Sequence, residues 1–587
     1  MSDVRPGPGA SAPVPRVRAN QVGHLPGVPV AATLVTDART PVPWRLERAG
    51  RTLAQGLSTP RGHDPSAGLD VHTLEVGPVT EVGEGFTLVA DGATSDPFAV
   101  GAHLYAPLAA DALRFFHLQR SGTPIGPEVA GPRYARPAGH VVSSPHGGDT
   151  HVACLPAGRA ATRDGVDLYD GWTDTHVLDV SGGWYDAGDH GKYVVNGGIA
   201  VAQLLGTLEW VAATVELPAG LEDALRDEVR WELGWMLRMQ VPAGSRFAGL
   251  VHHKVGDERW TPIPTLPHQD PQPRWLHRPS TAAALNLAAV AAQGARVLGD
   301  HDAAFAGQLL AAARTAYDAA LRTPDLYAPD TNVLENPGSG PYDDVDLDDE
   351  RYWAAAELYL TTGEGRYLVD LRANPFHLGG DRDPFAVLDW QRVAALGRIS
   401  LARVPSPLPE APDVRAALVA AADALVVIQA DQPFGHPYAP ADDRYDWGSN
   451  GLLLNHLTVL GAAWGVSGDV RHRDALAEGA GYLFGRNALG LSYVTGYGTR
   501  DVHRQHSRWY AQQVDPTLPP PPPGTVSGGP NSATPDPVSS GAVGGRPAQQ
   551  CYVDDIGAWG VNELTVNWNA PLVQVAALLA GALTPRR

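Results

Sequence analysis

The 587-residue sequence predicts a small all-β module followed by a larger all-helical domain, and three observations carry that expectation. Short runs rich in Val, Leu, Phe and Thr, separated by Gly, Pro, Asp and Ser, fill the first hundred residues, as in a sandwich of short strands. Beyond Tyr105, apolar residues recur at helical spacing instead. Hydrophobic residues at 44% and charged residues at 18% describe ordinary globular protein, so the chain can bury a large core, and disorder or fibre is excluded.

Taken in order, residues 1–15 are Pro, Gly, Ala and Ser with little to bury and read as a loose tail. Segments 30–36, 72–76, 85–90 and 97–100 read as strands of a β-sandwich over 16–104. Within 105–587, Leu221, Leu225, Val229, Leu233 and Leu237 form one helical stripe, and Val414, Leu418 and Leu425 begin another. Comparable segments near 110, 200, 230, 290, 310, 355, 390, 420, 455, 475 and 575 bring the expected total to about eleven or twelve helices. Twelve would pair as six hairpins. A closed ring of hairpins leaves its inner helices apolar all round, which suits the Ala-dense stretch 280–297, although an irregular helical domain satisfies the same periodicity. Residues 515–550, with five consecutive prolines at 519–523 and many Gly and Ser, must be a long loop; walling off one end of a groove is its expected task.

Charge and cysteine usage narrow the chemistry. Lys plus Arg is 44 and Asp plus Glu is 64, and the resulting net charge of −20 repels polyanions, so neither nucleic acid nor an acidic membrane is an expected partner. Two cysteines, Cys154 and Cys551, exclude a disulfide framework and a four-thiolate metal site. The N-terminus has no apolar core behind a basic start, and no uninterrupted apolar run of about 18 residues is visible, so a cytoplasmic, non-membrane protein is expected. HExxH, Walker A and GxSxG patterns do not occur, which argues against protease, nucleotide-hydrolase and esterase chemistry.

Three segments hold residues suited to catalysis. LDVSGGWYDAGDHGKYVVNGG places Asp186 and Asp189 among glycines that permit tight turns, so the two carboxylates can share one small volume and jointly deprotonate a water; they could equally brace an Asx-type loop. YVDDIGAWGVNELTVNWNA sets Asp554 and Glu563 beside Tyr552, Trp559 and Trp568, and burial against Trp raises a glutamate pKa, as a general acid requires; a surface or capping glutamate is the plainer reading. SYVTGYGTRDVHRQHSR supplies Tyr497, His506 and Arg508, a mixture of ring faces and charged donors suited to a sugar, or to a solvated basic loop. The acidic run Asp343, Asp344, Asp346, Asp348, Asp349 and Glu350 fails the EF-hand spacing and is better explained as a helix N-terminus favouring negative charge, with a non-EF ion site as the alternative.

Together these segments resemble glycoside hydrolase family 9, the inverting cellulases whose catalytic domain is a ring of six helical hairpins, an (α/α)6 barrel. The resemblance of GGWYDAGDHGKY implies Asp189 as catalytic base with Asp186 helping to hold the water, and that of YVDDIGAWGVNELTVNWNA implies Glu563 as proton donor. His506 and Arg508 fall on the family's substrate-binding pair, with Gln505 departing from the Pro or aliphatic residue preferred there, while Trp447 in RYDWGSN lies in a segment similar to one lining the cleft. Tyr497 and Asp554 complete the expected substrate contacts. RVRANQVGHLP and YAPLAADALRFFHLQRSG resemble the immunoglobulin-like module and junction that precede one branch of the family. No cofactor is implied. Structural calcium is a candidate for the acidic residues before Trp353, whereas zinc, bound in some relatives by two cysteines and two histidines, is not expected because no second cysteine lies near Cys154.

The reaction implied is inverting hydrolysis of β-1,4-glucosidic bonds in cello-oligosaccharides by a monomer, which asks for a carboxyl separation of roughly 6.5 to 9.5 Å. An exo-acting glucosidase, a glucosaminidase of the same family and a non-catalytic sugar-binding protein are the alternatives.

Overall fold

A computed structural model describes residues 13–145, 147–162, 164–334 and 337–586. Most of the expected N-terminal tail therefore lies outside the described residues.

Nine strands build the first module: β1 (Val17–Arg18), β2 (Pro29–Val35), β3 (Pro43–Arg48), β4 (Arg51–Leu57), β5 (Thr59–Asp64), β6 (Leu69–Pro78), β7 (Gly83–Ala90), β8 (Ala93–Thr94) and β9 (Phe98–Val100). They form antiparallel sheets in the orders β1-β2-β6-β5 and β4-β3-β7-β8, with β9 also on β7. Alternation sets the faces: Phe86, Leu88 and Ala90 of β7 and Trp44 and Leu46 of β3 point inward to meet Val30, Leu34 and Leu74. Strands β3 to β5 escape the sequence reading because the charges of Arg45, Glu47, Arg48 and Arg51 and the breakers Pro43 and Gly56 mask their alternation.

Twelve helices of nine residues or more follow among the described residues: α1 (Ala106–Gln119), α2 (Val194–Gly206), α3 (Leu221–Arg238), α4 (Thr281–Leu298), α5 (Ala303–Arg322), α6 (Asp348–Thr362), α7 (Gly365–Ala373), α8 (Ala394–Arg403), α9 (Ala411–Asp431), α10 (Ser449–Ser467), α11 (Val470–Leu483) and α12 (Val566–Ala580). The even-numbered helices pack in sequence around a closed ring, α2 to α4 to α6 to α8 to α10 to α12 and back to α2, while the odd-numbered ones cover it from outside. This is the six-hairpin barrel. Helix α4 shows why its sequence is Ala-dense: residues 281–295 are all buried, and small side chains let it approach both ring neighbours and α5 closely. The segment 194–214 and α4 are long and apolar enough to cross a membrane by length and composition, which the sequence reading missed, but both belong to the inner ring and are buried within the protein.

Short strands at one end of the ring carry the connecting loops: β10 (Val152–Cys154), β11 (Val177–Leu178), β12 (Lys192–Tyr193), β13 (Val251–His252), β14 (Lys254–Asp257), β15 (Arg274–Leu276) and β16 (Pro279–Ser280), with a sheet ordered β11-β10-β15-β14-β12. The loop 515–550 packs against the helical domain. Residues 524–532 are largely buried, Asn569 of α12 bonds Val526 N–H and the Gly524 carbonyl at 3.0 and 3.1 Å, and Asp536 caps a short helix at Pro537–Val543. Its end meets the first module, where Gln549 N–H donates to Ser66 O at 2.8 Å.

Candidate active site

The turn between Trp184 and β12 brings Asp186 and Asp189 to the mouth of the ring. Both are buried, and the Asp186 backbone ties the turn to α12 because its carbonyl accepts from Val566 N–H at 3.0 Å. The two carboxylates are used differently. Asp186 Oδ1 accepts from Asn196 on α2, and Oδ2 accepts from the Tyr342 hydroxyl at 2.7 Å. Asp189 Oδ2 accepts from Gly191 N–H at 3.1 Å and from the Tyr193 hydroxyl at 2.9 Å, which leaves Oδ1 without a hydrogen-bond partner among the described residues. Burial, then the charge of Asp189, pushes Asp186 up to about 7.

Glu563 arrives from the other end of the chain, just past the short helix Trp559–Asn562. Its carbonyl accepts from Gly528 N–H at 2.8 Å, and it bridges in parallel to His506. Burial, followed by the nearby charges of Asp189 and Asp186, holds its carboxyl well above the usual range, against the opposing pull of Arg508 and a hydrogen bond from Trp447. Three carboxyl groups thus share one electrostatic neighbourhood, with Glu563 favouring its protonated form.

The segment 505–508 joins the two halves. Arg508 N–H and its Nη1 both donate to Gly188 O at 3.0 Å, and Nε donates to Thr261 Oγ1 at 2.8 Å. Residue 188 must be glycine here, since a Cβ would stand 2.1 Å from the His506 carbonyl oxygen. His506 Nδ1–H donates to Ile556 O at 2.7 Å, and burial, then Arg508, lowers the ring to about 4, so a neutral imidazole presents Nε2 as an acceptor. The departure at Gln505 is absorbed by a buried side chain donating to Thr495 Oγ1 at 2.8 Å. Trp447 is 45% exposed, tilts against Trp559 at 5.3 Å and offers an open ring face beside Glu563.

Two expected sugar contacts are placed otherwise. Tyr497 donates to Asp111 of α1 at 2.8 Å, so its hydroxyl is engaged against the outer helix. Asp554 accepts from His503 N–H, Arg504 N–H and Asn562 Nδ2 at 3.1, 2.9 and 3.1 Å, so its oxygens brace the loop leading to His506. The sequence reading in turn omitted Tyr193, Asn196 and Tyr342. Tyr193 and Asn196 lie inside the quoted DAGD-bearing segment, but nothing in the spacing announces Tyr342, which reaches Asp186 across 156 residues in a left-handed conformation with φ 47°.

The acidic run divides by partner. Asp346 pairs with Arg382 and Asp348 with Arg351, whereas Asp344, Asp349 and Glu350 cluster at the first turn of α6. Asp344 Oδ2 and Glu350 Oε2 are buried without a hydrogen-bond partner, and burial, then neighbouring Asp349, raises both carboxyls, Asp344 to about 7. Carboxylate oxygens are the donor type that calcium takes, although Asp349 Oδ2 already accepts from Val393 N–H at 2.7 Å. Cys154, His176 and His252 bring their donor atoms within 4.8 Å of one another, with the two imidazole Nε2 atoms 2.8 Å apart. That donor set suits zinc. The expectation of no zinc rested on the missing second cysteine near Cys154; the fold brings His252 of β13 beside Cys154 and His176, three donors where a structural zinc takes four.

The glycosyl hydrolase family 9 model matches residues 105–576. The chain belongs to glycosyl hydrolase family 9. Residues 12–95 match the model described as the cellulase N-terminal ig-like domain, which identifies the first module as immunoglobulin-like. Among curated relatives, endoglucanase C of Cellulomonas fimi is 52% identical across 96% of this chain and 52% of its own length, so the chain spans about half of that relative. Cellulose 1,4-beta-cellobiosidase of Acetivibrio thermocellus is 40% identical across 97% of this chain and 67% of its own. A thermostable endoglucanase from Alicyclobacillus acidocaldarius, solved as a single mutant, superposes with a TM-score of 0.80 at 30% identity, covering 97% of this chain and all of that one.

Proposed function

We propose that this family 9 chain hydrolyses β-1,4-glucosidic bonds with inversion, Glu563 protonating the leaving oxygen while Asp189 deprotonates the attacking water. The observation that carries the reading is the split among three neighbouring carboxyls: Glu563 is held protonated by burial and by two facing aspartates, while Asp189 keeps one oxygen unengaged. An acid and a base set apart by environment are what inverting hydrolysis requires. Asp186, with both oxygens occupied by Asn196 and Tyr342, places the water-binding turn. The Nε2 of His506 accepts from a sugar hydroxyl, and the open face of Trp447 stacks on a ring. The names of the relatives, an endoglucanase and a cellobiosidase, support β-1,4-linked glucose chains as the substrate class. Cations at the Asp344 and Cys154 clusters would brace loops and take no part in the reaction.

Replacing Glu563 by Gln tests the assignment. Turnover of unactivated cello-oligosaccharides falls roughly 10²- to 10⁴-fold with KM little changed, and substrates with a leaving group that needs no proton recover much of the loss. Turnover near wild type on unactivated substrate would refute Glu563 as the acid.

A further inference from the structure

Strands β12 and β14 run antiparallel in a register that sets Tyr193 opposite Lys254. Both side chains are buried, and both grip the same residue, Gly340, in the loop before α6. The Tyr193 hydroxyl accepts from Gly340 N–H at 2.8 Å and donates to Asp189 Oδ2 at 2.9 Å. The Lys254 ammonium donates to the Gly340 carbonyl and to Thr331 Oγ1, the latter at 3.3 Å, and lies 5.9 Å from the centre of the Tyr193 ring. One residue further on, the Pro341 carbonyl accepts from His253 Nε2–H at 3.1 Å.

The direction of these bonds is fixed by what each group carries. A backbone N–H can only donate, so Gly340 occupies a lone pair of the phenol oxygen, and the single phenol proton is turned toward Asp189. With Gly191 N–H on the same carboxylate oxygen, Oδ2 carries two donors and Oδ1 none. We infer that Tyr193 is a positioning residue for Asp189, oriented by Gly340 and by Lys254 behind it, and that this relay reserves Oδ1 for the water. The inference rests on the reading of Asp189 as the base. Lys254, Tyr193, Asp186 and Glu563 each feel the charge of Asp189. Deleting the Tyr193 hydroxyl removes a donor from the Asp189 carboxylate, and deleting the Lys254 ammonium removes the group that holds the Gly340 carbonyl beside it.

The experiment compares Tyr193→Phe, Lys254→Met and Asp189→Asn with the wild-type chain on a soluble β-1,4-linked glucose oligomer, recording kcat, KM, the pH profile of kcat/KM and the melting temperature. Tyr193→Phe lowers kcat about 10- to 100-fold with KM within about twofold, and moves the acidic limb upward by about one pH unit. Lys254→Met moves the limb the same way by less. A purely structural role would scale the profile without shifting it, so an unshifted limb in Tyr193→Phe overturns the inference. Should that variant not fold, an unshifted limb in Lys254→Met overturns it instead. Wild-type turnover in Asp189→Asn removes the base assignment and the relay with it, whereas an inactive Asp189→Asn beside an unshifted Tyr193→Phe removes only the relay.

Discussion

Asp186 is a carboxyl group whose surroundings work against its charge. It is buried beside Asp189 and held up to about 7, and only the bonds from Asn196, Tyr342 and Thr565 oppose that rise. Below the ordinary aspartate range near 4, the group is neutral in both folded and unfolded chains and contributes no pH dependence. Between about 4 and 7 the unfolded chain ionises while the folded one retains its proton, so folded-state stability declines as pH rises through that window. Asp186→Asn removes this dependence. Melting curves at pH 4, 5.5 and 7 are expected to show the variant gaining on the wild type as pH rises, and a constant difference would contradict the raised pKa. At this scale the sequence was legible wherever a residue's task follows from its near neighbours. Glu563 between Trp559 and Trp568, and the paired aspartates among glycines, stand out by residue type and setting; Tyr342 and Lys254 do not, because what they touch is set by strand register and loop path. The partners of Asp554 and Tyr497, the 503–504 backbone and Asp111, are likewise chosen by the fold.

Among the elements, the loop 515–550 makes a contact that its composition does not announce. Polyproline and glycine content predicted an irregular segment, which it is, but its middle is a support for the acid: Gly528 N–H holds the Glu563 carbonyl, and Ser527 Oγ donates to Asn562 at 3.0 Å. Gly528 also lies flat against Trp568, where an added Cβ would meet the ring at 2.8 Å. Gly528→Ala therefore pushes the loop off Trp568 and carries Glu563 with it. The expected result is a stability loss of about 1–3 kcal/mol by denaturant titration and a drop in kcat of about tenfold. Retained kcat despite the lost stability would separate the loop from the acid's placement. The helices were the legible elements, because a period of 3.6 survives in any stripe of three or four turns. Only the nine-residue α7 was not anticipated as a separate segment, being too short to repeat its stripe. Strands β3 to β5 were lost because charged residues and breakers mask their alternation.

Across the whole molecule, closure of the ring is what makes a site from the two ends of the catalytic domain. Helix α12 packs on α1 and α2, so the acid-bearing segment before α12 meets the aspartate turn before α2, with Arg508 donating across the seam to Gly188. The immunoglobulin-like module packs on the helical domain through Gln21 N–H to Phe484 O at 2.9 Å, Thr33 Oγ1 to Pro433 O at 2.6 Å, and Ser66 to the end of the loop that carries Gly528. The two-module division and a ring of hairpins were anticipated from the sequence; the meeting of the two distant segments was expected only through the family resemblance, since no local pattern joins residues several hundred positions apart. The central claim is that Asp189 and Glu563 act from opposite sides of one glycosidic bond on a water and a leaving group. Proton NMR of the first-formed products from a β-1,4-linked glucose oligomer tests it most directly: the α-anomer must appear first and mutarotate to the β form, and β-anomer appearing first would contradict the mechanism.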